Sequence, residues 1–312
     1  MPGGFVWDPA GADRTLAGAV AELRQQRAGP AREALRECRR DYPVRAHRSL
    51  VLASAAVDTD LAESWLEDDP LNSDAKLFYA RVTMVRTLRS RELGDGLAPG
   101  LALLSWRAAV VAIEAAPWDP TPWAVLIAVA RYRPDVEPGH YRRVPPPPGL
   151  EAVGPWDLLA EAHARQPWHR ESYHRMLHYF YPRYGGDADA LWEVASWAES
   201  ASPPDSDAQL LPLAAQAEQA RTGGGFLTQE YAVHTAKRIY THWFPGITKL
   251  TFPPIADLSL LAYALDRDGR VADAGTVLEF LGPYATTFPW SLEGDPDKVL
   301  INAYARCRIR PP

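Results

Sequence analysis

The chain reads as an all-α protein built from consecutive antiparallel helical hairpins. Three observations carry this expectation. A proline-centred turn recurs five times: RRDYPVRAH around Pro43, LEDDPLNSD around Pro70, IEAAPWDPT around Pro117, HARQPWHRE around Pro167 and ESASPPDSD around Pro203. Between the turns, apolar residues fall at helical spacing. No alternating apolar–polar run bounded by Asn-Gly or Asp-Gly marks a strand hairpin.

Each element has a local reason. Proline lacks a backbone N–H and clashes with the preceding turn, so it ends one helix, and it fits the first turn of the next. Polar capping residues stand beside the prolines: Asn72, Ser73 and Asp74 after Pro70, Asp119 and Thr121 after Pro117, Asp205 and Ser206 after Pro203. Leu103, Trp106, Val110 and Ile113 form one apolar stripe. Tyr173, Met176, Leu177, Phe180 and Tyr181 form a second, and Leu258, Leu261, Ala262 and Leu265 a third. The TKLTF run at 248–252 has extended character but stops at Pro253 and Pro254. The Gly223–Gly225 run follows no strand and reads as a hinge.

The turns are unevenly spaced, at 27, 47, 50 and 36 residues. The long gaps require inserted loops or longer helices. One contains ELGDGLAPG at 92–100; the other contains a proline-rich run at 133–155. This suggests an N-terminal helical lobe over 1–132, a linker or insert over 133–155 and a C-terminal lobe over 156–312. One continuous stack is the alternative. HYRRVPPPPGL at 140–150 favours polyproline II, either as a stiff spacer or as a ligand for an aromatic groove.

Two segments resemble tetratricopeptide repeats. WLEDDPLNSDAKLFYAR at 65–81 looks like the join between one repeat and the next. LSLLAYALDRDGRVADAGTVL at 258–278 looks like a whole hairpin, with Leu261 and Ala262 at large-then-small packing positions, Gly269 at the turn and Ala274 at the crossing. It departs from the pattern at Leu281, where a small residue is expected, and lacks the closing proline. HRMLHYFYPRYGGDADAL at 174–191 is similar to a helix-turn-helix of uncharacterised bacterial families of the same kind. The resemblance implies a short α-solenoid whose concave face receives a protein or peptide. It implies no active site.

The composition narrows the function classes. The 312 residues are 47% hydrophobic and 23% charged, with a net charge of -6, so the chain lacks the overall positive field that draws proteins to nucleic acid or anionic lipid. Arg32, Arg36, Arg39, Arg40, Arg45 and Arg48 make the N-terminal helices basic, but Glu33, Glu37 and Asp41 interleave, as on a solvated mixed-charge face. Cys38 and Cys307 form no metal or disulfide framework. The opening MPGGFVWDPAGADRTL lacks a basic-then-apolar leader, and the apolar run at 123–130 is short for a membrane span. A cytoplasmic protein without nucleic-acid or membrane partners is expected.

No nucleophile-elbow, phosphate-loop or cofactor motif appears, and no cofactor is expected. His174 and His178 are one turn apart, a spacing that permits metal sharing, yet the HExxH order is absent and no metal is expected. Glu67, Asp68, Asp69 and Asp74 read as a helix end and cap. Asp266, Asp268 and Asp273 around Gly269 lack the calcium-loop order. Of the 11 tryptophans, Trp106, Trp192 and Trp197 read as core residues, whereas Trp118, Trp156, Trp168 and Trp290 flank prolines or turns. The one concentration of ligand-binding side chains is Trp168, His169, Tyr173, His174, His178, Arg183 and Tyr184. Two functions follow: a non-catalytic scaffold, adaptor or regulatory subunit, or an enzyme or small-molecule binder using the 169–184 cluster.

Overall fold

The computed structural model describes residues 4–133, 135–136, 140–221 and 230–312; the Gly223–Gly225 run lies outside them. The fold is all-helical, with no strand among the described residues. The chain divides into two compact units, one of Arg14–Ala190 and one joining the N-terminal segment through Asp13 to Leu191–Pro312. The described residues of the 133–155 segment fall inside the first unit.

The first unit contains α1 (Arg14–Arg24), α2 (Gly29–Glu37), α3 (Tyr42–Ala55), α4 (Leu61–Asp68), α5 (Ser73–Leu93), α6 (Ala98–Ala115), α7 (Thr121–Val129), α8 (Trp156–Arg165), α9 (Arg170–Tyr179) and the start of α10 (Ala188–Ala201). Neighbours in sequence are neighbours in space: α1 and α2 meet α3, α3 and α4 meet α5, α5 meets α6, and α7 meets α5, α6, α8 and α9. The long α5 is central and buries Leu77, Phe78, Val82 and Met84 together with polar Asp74, Arg81, Thr83 and Thr87.

Three of the proline turns share a design. Pro70-Leu71-Asn72, Pro117-Trp118-Asp119 and Pro167-Trp168-His169 lead into α5, α7 and α9. Asn72 accepts hydrogen bonds from the Asp74 and Ala75 amides at 2.9 and 3.4 Å, and Asp119 accepts one from the Thr121 amide at 2.8 Å. Ser206 does the same for Ala208 at 3.2 Å. Asp74 is not a cap. It is buried, and Arg45 joins it at 2.9 Å and Asp119 at 2.6 Å, which ties the starts of α5 and α7 together. Leu71 and Trp118 project from the turn apices into solvent.

Of the basic N-terminal side chains, Arg45 and Arg48 are buried and the others stay at the surface. Arg39 bonds Asp74 at 2.8 Å, Arg32 bonds Asp68 at 2.8 Å, and buried Arg48 bonds the Ala34 carbonyl at 2.9 Å and Glu37 at 3.1 Å.

One expected stripe is on the wrong face. Leu103, Trp106, Val110 and Ile113 are partly or well exposed; α6 instead buries Ala98, Ala102, Ser105, Ala109 and Ala112. Small residues let α6 lie close against α5, and that close approach decided which face turned inward. By length and composition, α6 is also apolar enough to cross a membrane, which the shorter run at 123–130 is not. Trp106 sits under Arg133 at 3.7 Å, and Trp192 and Trp197 are half-buried. The fully buried indoles are Trp65, Trp243 and Trp290. The Tyr173 and Leu258 stripes are buried as expected.

The proline-rich run is held against its unit. His140–Arg143 is a short 3-10 turn whose Tyr141 is buried edge-on to Tyr179, and Leu150 and Ala152 are buried beyond it.

The second unit contains the rest of α10, then α11 (Leu211–Arg221), α12 (Glu230–His242), α13 (Phe244–Ile247), α14 (Ile255–Arg267), α15 (Val271–Leu281), α16 (Thr287–Trp290) and α17 (Pro296–Arg306). The α14–α15 pair is a hairpin turned by Gly269, whose φ of 74° suits glycine. The nearby acids are engaged by arginines: Asp266 by Arg306 at 2.8 Å, and Asp273 by Arg270. Residues 248–252 form turns and bends. The N-terminal segment closes this unit. Val6 exchanges backbone hydrogen bonds with Pro283 and Ala285 at 2.7 and 3.1 Å, and Phe5 lies 5.4 Å from Tyr304.

Candidate functional site

The Glu171–Tyr179 run on α9 has two chemically different faces. One carries buried Tyr173, Met176 and Leu177. On the other, Arg175, His178 and Tyr179 border a cavity of about 270 Å³. Leu88 and Glu92 of α5, Ile127 and Ala128 of α7, and Arg131 and Tyr132 after α7 line its other sides. Arg183 and Tyr184, on the 3-10 turn Pro182–Tyr184, complete it.

The PRYGG sequence makes that turn necessary. Gly185 has a φ of 82°, a left-handed conformation that side chains disfavour. A Cβ on Gly186 would lie 2.2 Å from the Phe180 carbonyl, so the chain can fold back over the end of α9 only with glycine there. Arg131 clamps the same place. It donates to the carbonyls of Tyr179 at 2.9 Å and Gly185 at 2.8 Å and lies over the Tyr179 ring at 4.2 Å. A cation here also offsets the negative end of the helix dipole.

The electrostatics favour an anion. Arg131, Arg175 and Arg183 face a single wall carboxylate, Glu92, which accepts a hydrogen bond from Tyr184 at 3.3 Å. Beneath the wall, Glu171 is held by two guanidiniums. Arg81 bonds it twice, once at 2.6 Å, and Arg175 bonds it at 3.3 Å. One carboxylate cannot neutralise both, so a positive charge remains beside the cavity. Burial alone would raise the Glu171 carboxyl, but Arg81 and Arg175 outweigh it and bring it down to about 2.

His178 is kept neutral. Burial, then the charges of Arg175, His174 and Arg183, hold its imidazole well below the usual histidine value. Burial raises the phenols of Tyr132, Tyr179 and Tyr184, which stay protonated as donors. The wall therefore offers guanidinium, phenol and imidazole groups and no serine, threonine or cysteine. Its chemistry is recognition of an anionic group next to an apolar or aromatic one.

The structure separates the seven expected residues. His178, Arg183 and Tyr184 reach the cavity. Trp168 and Tyr173 instead form an aromatic group with His163 on the other side of α9: the Trp168 and Tyr173 rings are 4.8 Å apart, and His163 Nδ1 is 2.7 Å from the Tyr173 hydroxyl. His169 is buried at the start of α9, 2.8 Å from the Ser172 hydroxyl, and burial pushes its imidazole down to about 4. His174 is half-buried and does not line the cavity. Among the described residues, no group of three or more His, Cys, Asp or Glu side chains is placed to hold a metal ion.

Sequence reasoning missed Arg175 and Tyr179, although Arg175 lies one helical turn before both His178 and Tyr179, at spacings of three and four. It also missed Glu92, Arg131 and Tyr132, which reach the cavity from other helices. No family, curated protein or solved structure was found to match this chain.

Proposed function

We propose that this chain is a non-catalytic binding module, a tetratricopeptide-like stack of hairpins that anchors an anionic group of a protein or peptide partner in the α5–α7–α9 cavity. The observation that carries the reading is the charge of the wall, three guanidiniums against one carboxylate, with tyrosine hydroxyls available for hydrogen bonding. Guanidiniums bind carboxylate and phosphate oxygens in a forked geometry, and partly desolvated sites strengthen such bonds. The repeated turns and the packing of sequence neighbours support the stack. A scaffold, adaptor or regulatory subunit working in the cytoplasm is the role this proposal assigns.

The test is binding of fluorescent peptides of one length with acidic, neutral or basic sequence, measured by anisotropy. Acidic peptides should bind, and Arg183→Glu, on an exposed cation, should weaken them at least about tenfold, as loss and reversal of a charge-assisted contact implies. Equal binding of all three classes, or indifference to Arg183→Glu, overturns the proposal.

The cavity volume of about 270 Å³ favours a second reading, a small carboxylate or phosphate compound filling the same site. Thermal stabilisation by free citrate or inorganic phosphate, without peptide binding, would select it.

A further inference from the structure

The α6 helix presents a second feature, remote from the chemistry of the cavity. Only 33% of it is buried, although it is the most apolar long helix among the described residues. Its inner face is alanine and serine. Its outer face shows Leu104, Val110 and Val111, which are 40%, 37% and 42% exposed, and Trp118 is 62% exposed just beyond its end. Arg107 lies between Leu104 and the valines and Glu114 one turn beyond them, both exposed and neither bonded to another described residue. Asp135, which feels the Arg107 charge, is itself bonded by Arg133 at 2.9 Å.

Arg107 and Glu114 are seven residues apart on one stripe, about 10 Å along the axis, too far to pair within the helix. They are placed symmetrically about the Val110–Val111 pair. Two copies of α6 laid antiparallel, with a dyad between Val110 and Val111, therefore bring Arg107 of each level with Glu114 of the other. The same register sets Val110 of one copy level with Val111 of the other.

We propose that this face pairs with the same face of a second copy of the chain. The stripe is self-complementary, as a two-fold interface requires. An anionic or cationic partner would leave one of its charges opposed, and lipid would have to accept both Arg107 and Glu114 in the middle of the face. Ion pairs set within an apolar helix seam select register and direction more than they add affinity. One helix face is smaller than a standard interface, so the dimer belongs to the weak, transient class.

Charge reversal on the full chain, read by sedimentation velocity over a concentration series, tests this. The native chain should dimerise with rising concentration. Arg107→Glu and Glu114→Arg should each be monomeric, because each sets like charges opposite one another. An equimolar mixture of the two should dimerise, since a stripe with two acidic groups then meets a stripe with two basic ones. R107E/E114R together should restore self-association. A Val111→Cys variant in a Cys307→Ser background should cross-link as a dimer under mild oxidation, a readout independent of charge. A native chain that stays monomeric, single reversals that dimerise unchanged, or a mixture that does not reassemble overturns the proposal. A monomer that sediments with anionic lipid vesicles would assign the face to membrane instead.

Discussion

Glu171 shows how a single residue joins packing to the site. Its carboxylate is the shared counter-ion of Arg81, which is fully buried, and Arg175, which faces the cavity. Replacing it leaves both guanidiniums without that counter-ion, so Glu171→Gln should destabilise the chain by about 3–5 kcal/mol, measured by denaturant unfolding. Acid should act through the same region in two windows. His169 falls from its ordinary 6.5 to about 4, so the unfolded chain binds this proton first and stability is lost as pH drops from about 6.5 to about 4, by roughly 3 kcal/mol. Glu171 falls from 4.5 to about 2, and its contribution is lost as pH drops through that lower range. His178 and His163 are lowered too and act in the same window, so His169→Gln should flatten the pH dependence of the unfolding midpoint there without abolishing it; a slope unchanged by His169→Gln would refute the assignment. The sequence marks His169 as notable, but nothing in its neighbours says that it is buried. That depends on Ser172 and on helices distant in sequence.

At the scale of elements, α6 and α9 teach opposite lessons. On α9 the large apolar residues lie on the core side, and the periodic stripe reads correctly. On α6 two stripes coexist, one of leucine, tryptophan, valine and isoleucine, the other of alanine and serine. Hydrophobic size ranks the first higher, yet close contact with α5 selects the second. Enlarging that face should therefore cost stability: Ala109→Leu should lower it by roughly 1–3 kcal/mol through overpacking. The check is an unfolding curve beside Ile113→Ala on the half-exposed flank, which should change far less.

The two compact units make the N-terminal segment part of the C-terminal unit. Val6 pairs with the chain around Tyr284, Trp7 donates to Asp297 at 3.2 Å, and Ala10 is buried. Removing residues 1–12 should lower hydrogen-exchange protection at Tyr284, Ala285 and Tyr304, leaving that of α5 and α7 unchanged. Equal loss in both units, or none, would show that the segment does not stabilise this unit selectively. The sequence contains no sign of this closure, because five or six residues of mixed character have no period to read.

By itself the sequence determined the helical class, the proline turns with their caps, the α14–α15 hairpin and the glycine-dependent turn of PRYGG. All of these follow from backbone chemistry within a few residues: a missing N–H, a capping side chain, a positive φ. Tertiary structure decided what lies far apart in the chain. It brought Glu92, Arg131 and Arg183 around one cavity, parted Trp168 and Tyr173 from His178, and turned the larger apolar stripe of α6 outward. Those outcomes depend on which surfaces approach most closely and which charges are buried together, and only the assembled fold sets either.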